Sequence, residues 1–87
     1  MWFVPSEVSG VYTVKAEWDE EARVWIASSE DVPGLVTGAD TFEELAEKLR
    51  GLLPEMLEAN GVLPAGEAAQ VRFRIVAERA EHARAVA

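Results

Sequence analysis

Sixteen carboxylates, one histidine and no cysteine set the range of chemistry open to this 87-residue sequence. Paired acids are the first candidate, because acid–base catalysis needs a carboxyl kept neutral by apolar surroundings beside one that stays ionised. Asp19, Glu20 and Glu21 fall in one turn-like run, Glu30 and Asp31 in a second, and Glu43, Glu44 and Glu47 on the polar side of a helical pattern. None is flanked by the apolar residues that raise a carboxyl pKa, so surface solvation is their expected state. His82 is a lone imidazole without the companions that a metal centre or a histidine-activated nucleophile requires. Gly34 and Gly38 lack the spacing and the lysine–serine ending of a phosphate loop. Trp18 and Trp25 have the surface to stack a planar ligand, but aromatic residues in strands belong more often to cores. No catalytic, metal or cofactor site is expected from these residues, and hence no enzyme.

The elements that would position such side chains follow from the hydrophobic pattern. Val11–Trp18 alternates, with Tyr12, Val14, Ala16 and Trp18 on one face, as a half-buried strand does. Asp19–Arg23 is a connector of hairpin length. Val24–Ser29 is a second strand, apolar on both faces, so the pattern leaves open which face is buried. In Glu30–Gly34, Pro33 fixes φ and Gly34 is free to take the positive φ of a type II turn. Leu35–Gly38 reads as a short third strand. Thr41 and Glu44 have the spacing of a capping box, and Asp40, Glu43 and Glu44 place negative charge at the positive end of a helix dipole. Phe42, Leu45, Ala46, Leu49, Leu52, Leu53, Met56 and Leu57 then form one apolar stripe. Pro54 lies inside that stripe's span and predicts a kink in one continuous helix, which Asn60-Gly61 ends. Val62–Ala69 is a loop with Pro64 and Gly66. Gln70–Ala77 returns to period two, with Val71, Phe73 and Ile75 inward and Arg72, Arg74 and Val76 outward.

This is a β-β-β-α-β order, hence an α+β fold. Short turns make the first three strands an antiparallel meander, and a right-handed crossover through the helix brings strand four beside strand one. The predicted sheet is mixed, in the order 3-2-1-4, with one helix on the Tyr12/Val14/Trp18 face. The other face has nothing to cover it, which points to a homodimer or higher oligomer formed through that face or an edge strand. The whole of 1–87 reads as one domain, with its core at 11–77, a leader at 1–10 and a tail at 78–87 that is either helix or ordered arm.

Charge narrows the partners. Residues 1–68 carry a net −10 and residues 69–87 a net +2. An acidic body repels phosphate backbones and attracts basic partners, although acidic surfaces also serve solubility alone. The N-terminal run has no basic segment and its apolar stretch ends at Val4, and nothing nears the ~18 apolar residues of a membrane span. A cytoplasmic location without membrane attachment is the expectation.

The run YTVKAEWDEEARVWIASSEDVPGLVTGADTFEELAEKLRGLLPEMLEANG resembles the N-terminal domain of HicB-like antitoxins. The family's aspartate-leucine-proline-glycine turn corresponds to Asp31-Val32-Pro33-Gly34, and its threonine-capped helix to Asp40-Thr41 with Glu43-Glu44. AEWDEEARVW and LLPEMLEANG are similar to a compact branch of HicB-related proteins. The resemblance implies a partial ribonuclease-H-like fold without ribonuclease activity, and capture of a small basic mRNA-cleaving toxin of the HicA type. Such antitoxins usually end in a helix-turn-helix or ribbon-helix-helix segment. Ten residues after strand four are too few for either, so direct DNA binding is not expected.

The reading is therefore a non-enzymatic HicB-like protein-binding module, whose partner surface draws on Glu30, Asp31, Asp40, Glu43 and Glu47. Pro33, Gly34, Thr41 and Glu44 are turn and cap residues. Three other readings make different demands. A stand-alone homo-oligomer of structural or regulatory role needs no neighbouring gene for a basic partner. A small-molecule binder using Trp18 or Trp25 needs a deep apolar pocket with a desolvated acid. Nucleic-acid binding needs Arg72, Arg74, Arg79 and Arg84 on one surface.

Overall fold

A computed structural model of the chain describes residues 11–62 and 71–86. The expected leader and the loop with Pro64 and Gly66 lie outside the described residues, as does Gln70. Strands β1 (Val11–Asp19), β2 (Val24–Ser28) and β3 (Val36–Ala39) are followed by helix α1 (Phe42–Ala59) and strand β4 (Arg72–Glu78). They build a four-stranded sheet in the order β3-β2-β1-β4. β1 runs antiparallel to β2 and parallel to β4, and β2 antiparallel to β3. The described residues form the predicted small α+β arrangement, with a mixed 3-2-1-4 sheet and one helix.

Local chemistry accounts for each boundary. Asp19 closes the hairpin: its Oδ1 accepts the N–H groups of Glu21 and Ala22, and its carbonyl accepts that of Arg23. Arg23 itself takes φ 60°, a left-handed conformation usually left to glycine. Beyond β2 the chain turns at Val32–Leu35, where Leu35 N–H donates to the Val32 carbonyl and Gly34 has φ 85°. That is the type II turn that Pro33 and Gly34 predict. The third strand begins one residue later than the pattern implied, because Leu35 turns into the core and leaves Val36 to start the pairing.

At the helix start, Thr41 Oγ1 accepts the Glu44 N–H at 3.1 Å. The reciprocal half of the predicted capping box is not made. Instead the Glu44 side chain lines a groove along β3. The helix passes through Pro54 as one element and ends in a Schellman motif. Gly61, at φ 78°, donates to the Glu58 carbonyl, and Val62 donates to that of Leu57.

The core is a leucine ladder on an alanine floor. Leu45, Leu49, Leu53 and Leu57 recur every fourth residue and are fully buried. They face Ala16, Ala27 and Ala39 on three adjacent strands, with Val14, Val32 and Leu35 completing the cluster. Ala16 pairs with Ala27 in the register, and Trp18 with Trp25. The two-faced second strand is thereby resolved: Trp25 and Ala27 point to the helix, while Val24 and Ile26 face outward. The helix sits over β2 and β3. Phe73 and Ile75 of β4 stay half-buried, and Ala77 is exposed.

Replacing Leu49 with Ala leaves a hole under the helix and is expected to lower unfolding free energy by about 2–5 kcal/mol in urea titrations. Ala27→Leu should destabilise as well, by about 1–3 kcal/mol, because the floor has no room for a larger side chain.

Candidate binding groove along the β3 edge

β3 is an edge strand among the described residues, and a groove wraps around it. The groove has a volume of about 780 Å³. Its floor is apolar: Val24, Ile26 and Val36 come from the outer face of the sheet. Its wall is charged, with Asp40 before the helix and Glu44, Glu47 and Lys48 on the first turns of α1. Ile26 is 38% exposed and Val36 is 72% exposed, so the floor is open to a partner. Lys48 Nζ donates to the Gly38 carbonyl at 2.6 Å. That bond covers part of the strand edge with a positive charge, a common protection against unwanted strand pairing. Gly38 has no spare room: a Cβ there would lie 3.0 Å from the Trp25 carbonyl oxygen.

The five acids expected to face a partner are not brought to one place. Asp40 and Glu47 border the groove. Glu43 is exposed on the helix outside its lining. Glu30 and Asp31 lie at the opposite end of β3, beside a second depression lined by Thr13, Lys15, Glu17, Ser28 and Ser29. Asp31 is committed to the fold: its Oδ2 accepts the Thr13 N–H at 2.8 Å, and its own N–H donates to Ser29 Oγ. Ser29 Oγ in turn donates to the Thr13 carbonyl at 2.6 Å. These side chains extend the β1–β2 ladder past Ser28 and brace the turn. Glu44, read from sequence only as a cap residue, belongs to the groove wall. The apolar floor was missed as a site because Val24, Ile26 and Val36 are ordinary strand residues until the register puts them on the uncovered face.

The aromatic residues form a second feature. Trp18 and Trp25 meet edge to face at 5.5 Å, and Trp25 meets Phe42 at 5.6 Å. The Arg79 guanidinium lies 4.2 Å from the Trp18 ring centroid, with that of Arg23 at 5.9 Å. The Trp18 indole N–H donates to Glu20 Oε1 at 2.8 Å, and Arg23 pairs with Glu20 Oε2. The tryptophan surface is thus occupied by the chain's own cations. Among the described residues no charged side chain is buried and no three His, Asp or Glu residues converge as a ligand set. His82 is exposed on the segment after β4. The four arginines do not share a surface: Arg72 and Arg74 are on the outer face of β4, whereas Arg79 covers Trp18 on the helix side.

The indole hydrogen bond is the largest influence and holds the Glu20 carboxyl below its ordinary range against the opposing effect of desolvation; the charge and hydrogen bond of Arg23, and then the charge of Arg79, add to the lowering. This keeps Glu20 ionised, the reverse of what a general acid needs. A depressed folded-state pKa contributes stability above the unfolded value and loses it as pH falls through the folded one. An NMR titration of the Glu20 side chain should therefore have its midpoint below the usual glutamate range. Trp18→Phe, which removes the indole donor, should move that midpoint upward.

Comparison with other proteins places the chain in a family. The chain is 43% identical to hypothetical protein TTHA1013 of the extremely thermophilic bacterium Thermus thermophilus, over 85% of this chain and 97% of that one. The crystal structure of that protein matches the fold with a TM-score of 0.62. No curated protein matches the sequence. Residues 11–87 match the model of the domain of unknown function DUF1902, and the chain belongs to that family.

Proposed function

We propose that this protein is a HicB-like, non-enzymatic binding module that captures a small basic protein in the groove along β3. The observation that carries the reading is the pairing of an exposed apolar floor at Ile26 and Val36 with an acidic wall at Asp40, Glu44 and Glu47. An apolar centre within a charged rim is the general anatomy of a protein-binding patch. The rim's sign selects basic partners and speeds their approach. A mRNA-cleaving toxin of the HicA type, the partner implied by the resemblance, is basic because it binds RNA, and an acidic surface that covers it would block that binding. The meander, helix and fourth strand also suit the partial ribonuclease-H-like fold of HicB domains.

Asp31 is a poor probe of this surface, since its loss would disturb the turn. Glu47→Lys combined with Val36→Asp tests the groove directly, because both side chains are exposed and neither is bonded to another described residue. With a small basic protein of the HicA type as partner, calorimetry should show affinity lowered by about tenfold or more, with the circular dichroism unchanged. Equal affinity for the double variant and the parent protein would remove the groove from consideration.

A further inference from the structure

The second edge of the sheet carries a different inference, independent of the groove. β4 is bonded to β1 on one side, and among the described residues no strand lies on its other side. Its seven residues make a longer open edge than β3 does. No lysine sits on this strand, and no proline or charged side chain points inward from it; those are the usual devices that keep such an edge solitary. Phe73 and Ile75, on the helix side, are only half-buried, and Val76 on the outer side is 53% exposed. After Glu78 the chain continues as an arm, Arg79–Val86, in which every residue is exposed and Val86 is 91% so. The open edge and the half-covered side chains thus belong to one strand, and the exposed arm follows directly from its end.

We propose that β4 is the seam of a homodimer, in which two copies pair this strand antiparallel about a two-fold axis at Ile75. The occupant is argued from the strand's own sequence. Opposed residues of an antiparallel pair must share a face, so a two-fold axis normal to the sheet passes midway between a residue and its own copy in the partner. Centring on Ile75, the midpoint of β4, engages all seven residues. Arg72 then faces the partner's Glu78, and Glu78 faces the partner's Arg72. Arg74 lies against the partner's Val76, and the large Phe73 against the partner's small Ala77. Centring one residue earlier would oppose Arg74 to the partner's Arg74, a destabilising like-charge pair. Centring one residue later would set Phe73 against the partner's Arg79, which already covers Trp18 in its own chain. The Ile75 register alone combines full strand length, opposite charges at both ends and an apolar centre. The product is a continuous sheet of twice the strands, with both helices on one face. The half-covered Phe73 and Ile75 of each copy meet across the seam, and each arm continues past the partner's Val71.

The absence of cysteine from the sequence makes a clean test available. Opposed residues in an antiparallel pair are about 4.5–5.5 Å apart at Cα, within disulfide reach, whereas residues offset by two are not. Ile75→Cys should form a disulfide-linked dimer under mild oxidation, while Val36→Cys and Val76→Cys remain unlinked. In sedimentation velocity the parent protein should run at twice 9.5 kDa. Arg72→Glu and Glu78→Arg should each raise the dimer dissociation constant by about tenfold, and the double exchange should return it to within about threefold. Residues 72 and 78 stand at opposite ends of one strand, so rescue reports contact between copies rather than repair within one. Monomeric behaviour at all concentrations would overturn the seam. So would cross-linking of Val36→Cys or Val76→Cys in preference to Ile75→Cys, or charge reversals that leave the dimer unchanged.

Discussion

Everything in this fold depends on four leucines settling onto three alanines. A helix packed on a sheet normally stands about a side chain away from it, but Ala16, Ala27 and Ala39 offer almost no side chain on β1, β2 and β3. Leu45, Leu49, Leu53 and Leu57 fill that space and are fully buried. A chain of this length has a large ratio of surface to volume, so one such contact must supply most of the apolar burial. The alanines matter as much as the leucines, since a larger residue at any of them would lift the helix and open the core.

The same economy creates the surfaces available for binding. One helix covers one face of a four-stranded sheet, and it lies over β2 and β3. Three regions stay uncovered among the described residues: the outer face, the β3 edge with its acidic wall, and the β4 edge with its arm. The two edges differ in chemistry. β3 is short, partly covered by Lys48 and surrounded by carboxylates, which suits a basic partner of another kind. β4 is longer, carries arginine near one end and glutamate at the other, and is complementary to a second copy of itself. A module built this way has room to engage both at once, because the strands are separated by β2 and β1.

Much of the local structure was readable from residue types. Pro33 and Gly34 specify a type II turn through their φ values, Thr41 specifies a helix start through its hydroxyl, and the leucine spacing specifies a buried helix face. Each signal acts over a few residues, so no distant information is needed. The candidate site was only partly readable. Asp40 and Glu47 were expected to face a partner and do border the groove. Asp31, expected on the same surface, lies at the other end of β3 and holds the Thr13 N–H, because a carboxylate placed after a turn finds backbone N–H groups that a linear reading does not reveal. Glu44 donates its N–H to the Thr41 hydroxyl as the cap requires and also lines the groove. The two-sided apolar pattern of β2 carried no directional information at all.

What the sequence determined by itself was the order of elements and, through the preference for right-handed crossovers, the order of strands. These follow from hydrophobic period, turn chemistry and chain handedness, all of which are local or general. Only the tertiary structure decided which face of β2 is buried, which acids share a surface, and which tryptophan surfaces are occupied. Those outcomes depend on register. A shift of one residue in a strand moves every side chain to the other face, and pairing between β1 and β2, rather than any property of Trp25 or Ile26 alone, selects one of the two.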